Sequence, residues 1–310
     1  MGSVFVRLVQ ARSKPVVDTK GSGDASTDDE RASRGTLPMG PSPLPAPGGA
    51  DEPGGAEARP RQDEPATLRV LLIGNSYTMH HSLHQMLQRV AAAVEGGPHV
   101  TVDAVARGGY SLRNHLRTGD ALTRIRAGHY THVVLQGHSL SAVDHPTELN
   151  ADAERFKQAI DAAASRTVLY ATWARSPEVS LYRTHKVVHS FADMSTRVST
   201  TYVDISSRIG AGLAPVGSAF ERALVEHPRL SLWGSDGSHP SLAGSYMAAC
   251  VLYGAITGTD PNLTTYVPNG LNHNDAATVR AVAAQALAAA RNANPPALIE
   301  ASTSVERNPL

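Results

Sequence analysis

The stretch Leu68-Arg-Val-Leu-Leu-Ile-Gly74-Asn-Ser-Tyr-Thr-Met-His-His-Ser-Leu83 decides how the chain is read. It starts as an aliphatic run long enough for a buried strand and breaks at Gly74-Asn75-Ser76. A helical pattern follows at once, with Leu83, Leu87, Val90 and Val94 at spacings of three and four. A strand, a tight polar break and a helix make a β-α unit, and the question is whether the unit recurs.

It does. Aliphatic runs stand at 68–74, 99–106, 131–137, 166–172 and 200–206, and segments with helical patterning lie at 149–165, 181–199, 241–256 and 275–291. Strands that are apolar throughout are buried on both faces, which places helices above and below them. The expected fold is α/β: a three-layer α/β/α sandwich around a five-stranded parallel sheet. Ligand sites in such sheets lie beyond the carboxyl ends of the strands.

Composition bounds the rest. The chain has 310 residues, and its 28 basic side chains balance 28 acidic ones. Bulk charge therefore gives no reason to expect nucleic acid or an anionic membrane as partner. Nine of the twenty prolines fall within the first 66 residues, in segments such as "PMGPSPLPAPGGADEPGG". That stretch has too little apolar surface to offset its ordering entropy, so residues 1–66 are expected to be a disordered leader. One domain is expected over 67–293, with a flexible tail over 294–310. No run is long enough to span a bilayer. The opening "MGSVFVRLVQARSK" lacks the features of a signal peptide, so a soluble protein of open compartment is expected. The single cysteine, Cys250, sits in the apolar run "YMAACVLYGAI" and is expected to be a buried thiol.

Polar residues gather where the strands end. Ser76 follows the first strand, Gly108-Gly109 the second, and Gln136-Gly137-His138-Ser139 the third, while "WGSDGSHP" brings Asp236 and His239 to the start of a late helix. A serine hydroxyl needs a base to become a nucleophile, and an imidazole needs an acceptor to fix its tautomer. Ser76, His239 and Asp236 satisfy both demands. The amides of Ser76 and Gly109 and the carboxamide of Gln136 are the expected donors to a developing oxyanion. Spacing leaves Gly108 open beside Gly109. Asn75, His138, Trp173 and Arg175 are candidate substrate contacts.

Each segment alone has an ordinary explanation. Asn75 is a good N-cap, Asp-Gly is turn chemistry, and Pro240 suits a first helical turn. His80 and His84 stand four apart on a helix, but no acidic or cysteine partner has metal-ligand spacing nearby, so no metal or cofactor is expected. "GNSYT" lacks the second glycine of the Gly-x-Ser-x-Gly elbow, which argues against an α/β-hydrolase.

Taken together and in order, "GNSYT", "GGYS", "LQGHS" and "DGSHP" resemble the four sequence blocks of the SGNH (GDSL-type) hydrolases. The resemblance runs from about Leu68 to about Ile256. It implies a flavodoxin-like sandwich and ester hydrolysis through Ser76, Asp236 and His239. "LQGHS" is similar to the glutamine-bearing form in carbohydrate acetylesterases of that superfamily, which implies a short acyl group on a small-molecule or carbohydrate ester. Asn75 replaces the frequent aspartate, and Ser139 replaces the usual asparagine of the third block. An acyltransferase on the same fold and a non-catalytic carbohydrate-binding protein are the alternatives.

Overall fold

Five strands carry the chain: β1 (Thr67–Gly74), β2 (His99–Ala106), β3 (His132–Leu135), β4 (Arg166–Tyr170) and β5 (Gly212–Ala214). They form one all-parallel sheet in the order β2-β1-β3-β4-β5. The computed structural model describes residues 67–293. The expected leader, 1–66, and tail, 294–310, lie outside the described residues.

Side chains of β1 alternate between two apolar cores. Val70 and Leu72 face the cluster built with helices Leu83–Ala92, Val216–Glu226, Leu242–Thr257 and His273–Ala293. Leu71 and Ile73 face the other, with helices Leu112–Thr118, Asp120–Gly128, Pro146–Ala162 and Phe191–Ile209. Every residue from Ala243 to Ile256 is buried, so that helix is apolar all round and packs between its neighbours. It carries Cys250, whose thiol is pushed up to about 12 by burial. β2 is an edge strand. Val100 and Val102 are buried while Thr101 and Ala104 are exposed, so it departs from the expected burial on both faces.

The chain runs from β1 outward to β2 and returns to β3 on the other side of β1, so the sheet's switch point lies between β1 and β3. Parallel register brings the ends level: Gly74 pairs with Ala106, and Ile73 with Leu135. Ser76 leaves β1 at this crevice.

The fifth strand is not where the sequence placed it. Residues 200–206 lie inside the helix Phe191–Ile209, and β5 is the short Gly212–Ala214 that follows. The β-branched run "TTYV" reads as strand, but Met194, Val198, Tyr202 and Ile205 form one buried helical face. Ser190 caps the start, with Asp193 N–H donating to its hydroxyl at 3.1 Å, and Gly210 ends the helix in the left-handed region. The helices Leu112–Thr118, Asp120–Gly128 and Val216–Glu226 are additions to the expected set.

His132, the first residue of β3, is 4 % exposed. Its Nδ1 is 3.0 Å from Thr131 Oγ1, and its Nε2 has no partner. Burial, helped by the charge of Arg166, pushes its pKa down from 6.5 to about 4. Because the folded value lies below the unfolded one, the unfolded chain takes up a proton that the folded chain refuses between those limits. Stability should therefore fall as pH drops from 6.5 towards 4, by about 2 kcal/mol at pH 5 from this residue. Urea midpoints at pH 7.5 and pH 5 check this: His132→Leu should flatten the difference, and an equal fall in both proteins would assign it to other groups.

Candidate active site

The turn after β1 is built by bonds from both neighbouring strands. Asn75 Oδ1 accepts the Tyr77 amide at 3.1 Å and caps the short helix Ser76–Met79. Its Nδ2 donates to the carbonyls of Tyr110, beyond β2, at 3.0 Å and Gly137, beyond β3, at 3.3 Å. Gln136 Oε1 accepts from the Asn75 amide and from Thr78 Oγ1, both at 3.0 Å. His115, buried on helix Leu112–Thr118, donates from Nε2 to the Gly74 carbonyl at 2.7 Å. Burial pushes the His115 pKa down, so the ring stays a neutral donor.

The expected continuous helix after Ser76 is broken. His81 and Ser82 take left-handed backbone angles (φ 50° for each), and the long helix starts only at Leu83. His81 Nδ1 hydrogen-bonds Ser245 Oγ at 2.8 Å across the fold, which holds the kink. The kink turns the His80 ring onto His239, at 4.4 Å between centroids and 23° between planes.

The loop before helix Leu242–Thr257 is equally tied. Trp233 and Pro240 form an antiparallel bridge, and the Gly234 amide donates to the His239 carbonyl at 2.8 Å. Asp236 Oδ1 accepts the amides of Ser238 and His239, both at 2.9 Å. Its Oδ2 lies 2.5 Å from His239 Nδ1, and His239 Nε2 lies 2.8 Å from Ser76 Oγ. Partial burial alone would raise the Asp236 pKa. The hydrogen bond from His239 and the two amides outweigh that and hold it down at about 2. An ionised Asp236 keeps the proton on His239 Nδ1 and leaves Nε2 as the acceptor facing Ser76. The sequence-predicted serine, histidine and aspartate thus meet in one hydrogen-bonded line, with Ser76 and His239 163 residues apart.

The other expected contacts divide. The amides of Ser76, Gly108 and Gly109 donate to no group among the described residues. Gly109 is exposed with φ +73°, a backbone angle that suits glycine. Gln136 was expected to point its carboxamide at the oxyanion, and the structure turns it inward. It is 1 % exposed, its oxygen takes two bonds from the turn that carries Ser76, and its Nε2 donates to the Gly137 carbonyl. Its role is to tie β1 to β3 across the crevice. Asn75 is likewise buried with both amide atoms engaged, so it shapes the turn and has no free group for substrate.

Trp173 was a candidate for substrate stacking. It is fully buried between Tyr77 (4.5 Å, 8°) and Phe220 (4.3 Å, 3°), and its Nε1 donates to the Ser238 carbonyl at 3.0 Å. It supports the loop that bears Asp236 and His239. His138 is partly buried beyond β3, with its pKa lowered by burial and then by Arg175. Asp204, within the run 200–206 expected as a strand, sits exposed inside the helix Phe191–Ile209. Among the described residues no three histidine, cysteine or acidic side chains gather as a metal site, and no helix is long and apolar enough to cross a membrane. Sequence reasoning missed His115, Tyr77 and the bond from Arg175 to Ser139. Nothing in their local patterns marks them.

No protein-family model and no curated protein matches the chain. Solved structures do. A protein from Slackia heliotrinireducens, described as a candidate SGNH hydrolase, is similar at 29 % identity and TM-score 0.54, over 61 % of this chain and 99 % of that one. A DUF4886 family protein from Bacteroides uniformis ATCC 8492 shares the fold at 17 % identity and TM-score 0.60, over 76 % of this chain and 98 % of that one. An acetyl xylan esterase matches at 12 % identity and TM-score 0.49, over 61 % of this chain and 100 % of that one, which carries nothing about substrate.

Proposed function

We propose that the chain, which is similar to a candidate SGNH hydrolase at 29 % identity, is a serine esterase of that family cleaving carboxylic esters with a short acyl group. Ser76 Oγ attacks the carbonyl carbon as its proton passes to His239 Nε2. Asp236 balances the imidazolium from the other side of the ring. The amides of Ser76 and Gly109 hold the oxyanion, since both are free of acceptors in the protein. His239 then returns its proton to the departing alkoxide. Water, activated by the same imidazole, resolves the acyl-enzyme. Neither a metal nor a cofactor enters these steps.

The observation that carries the reading is the line from Ser76 Oγ to His239 Nε2 at 2.8 Å with Asp236 behind the ring. Labelling with a fluorophosphonate tests it directly. One label per chain, mapped to Ser76 by mass spectrometry, is expected; a protein that stays unlabelled is the non-catalytic binding protein of the same scaffold. Rates on 4-nitrophenyl esters from acetate to octanoate should fall with chain length, and a maximum at octanoate would sink the short-acyl part of the proposal.

The two glycines after β2 make a paired prediction. Gly109→Ala forces a side chain into the left-handed region and shifts the amide, so kcat should drop by about tenfold or more with KM little changed. Gly108→Ala meets no atom within 4 Å and should retain most activity. The reverse order in steady-state kinetics would move the donor to Gly108.

A further inference from the structure

Arg175 lies in the loop beyond β4, and this loop is bound to the one bearing Asp236 and His239. The Ser176 amide donates to the Gly237 carbonyl at 2.8 Å, and the Tyr182 hydroxyl holds the Arg175 carbonyl at 2.6 Å. From that fixed backbone the side chain crosses to the third strand end, where Nη2 donates to Ser139 Oγ at 3.0 Å. The guanidinium therefore bridges two loops on the sheet edge from which Ser76 projects.

Its charge is unmatched. Arg175 is partly buried, yet it makes no ion pair among the described residues, and its Nε has no partner. Arg107, beyond β2, is by contrast exposed and paired with Asp120 at 2.9 Å. The influence of Arg175 reaches the residue after the nucleophile: burial raises the Tyr77 pKa, and Arg175 is the main opposing charge. A half-buried guanidinium bound only to a neutral hydroxyl is poorly compensated, and the partner that fits its planar fork is a carboxylate.

We propose that Arg175 anchors a carboxylate carried by the ester substrate, so that the site takes anionic esters in preference to neutral ones of the same size. This rests on the serine-esterase reading above and names its substrate class. The carboxylate can sit on the acyl or on the alcohol side, and the experiment separates the two.

Two matched pairs are compared by kcat/KM: monoethyl glutarate with ethyl valerate for the acyl side, and 4-acetoxybenzoate with phenyl acetate for the alcohol side. In at least one pair the anionic member should win by about tenfold or more, mostly through KM. Arg175→Met should bring that ratio close to one, and Arg175→Lys, which keeps charge without the fork, should retain part of it. Equal rates within both wild-type pairs overturn the proposal. So does an Arg175→Met protein that slows both members alike, because Arg175 would then only support Ser139 and the loops. If Arg175→Met fails to fold by circular dichroism, the wild-type ratios and Arg175→Lys decide.

A binding measurement keeps the two readings apart. Calorimetric titration of Ser76→Ala with monoethyl glutarate and 4-acetoxybenzoate should show salt-sensitive binding of at least one, lost in Ser76→Ala/Arg175→Met. Wild-type protein that hydrolyses none of the four esters sinks the esterase reading, and the titration still decides the anion site: binding without turnover retains it, and no binding ends it.

Discussion

Ser76→Ala is expected to abolish fluorophosphonate labelling and to lower kcat on 4-nitrophenyl acetate by about 10⁴-fold or more. The variant removes one oxygen from a turn whose other bonds run through Gly74, Asn75, Gln136 and His115, so its melting temperature should stay near wild type. His239→Ala should match it in kcat. The double variant should be little worse than either single one, because nucleophile and base act as one unit. Asp236→Asn should fall less, since it spares both reacting groups and disturbs the tautomer and the countercharge. Steady-state kinetics on the three single variants and the double variant check the pattern. Additive losses would mean that Ser76 and His239 do not share a step.

Gly74→Ala is the second large effect, and it acts through geometry alone. A Cβ there would stand 2.3 Å from Thr78 Oγ1 and 2.5 Å from Gln136 Oε1, closer than a Cβ comes to a non-bonded atom in real proteins. Both neighbours belong to the staple between β1 and β3, so the turn must open to admit a methyl group. The expected outcome is a loss of about 1–3 kcal/mol of stability, the usual range for overpacking, with at least a hundredfold drop in kcat from a displaced hydroxyl. Urea unfolding read beside steady-state kinetics tests both parts. A variant with wild-type stability and rate would show that the strand ends yield freely.

These predictions rest on parts of the site that differed in how well the chain displayed them. Gly74-Asn75-Ser76 was legible because a strand-to-helix break is a local event: aliphatic residues stop, an N-cap residue appears, and helical spacing begins. Asp236 and His239 were legible because their contact spans three residues within one turn. The helix Phe191–Ile209 was misread at its carboxyl half, where β-branched residues mimic a strand and only the spacing of Met194, Val198, Tyr202 and Ile205 shows the buried face.

Gln136 and Trp173 were misread for a different reason. Each is a polar-capable side chain at a strand end, a position that suits a ligand contact and a structural tie equally well. The choice between them depends on the register of β1 against β3 and on the packing of Phe220 behind the indole, which bring together residues far apart in the chain. His115 is the extreme case: its bond to the Gly74 carbonyl spans 41 residues and is announced by no spacing.

The sequence by itself determined the layered α/β plan and singled out the serine, histidine and aspartate that the fold brings into one hydrogen-bonded line, because apolar periodicity and turn chemistry act over a few residues. Tertiary structure alone decided which glutamine, asparagine and tryptophan atoms remain free, and it brought an unpaired arginine to the same sheet edge. Those outcomes follow from strand order and register, which set the distances between segments that local patterning cannot relate.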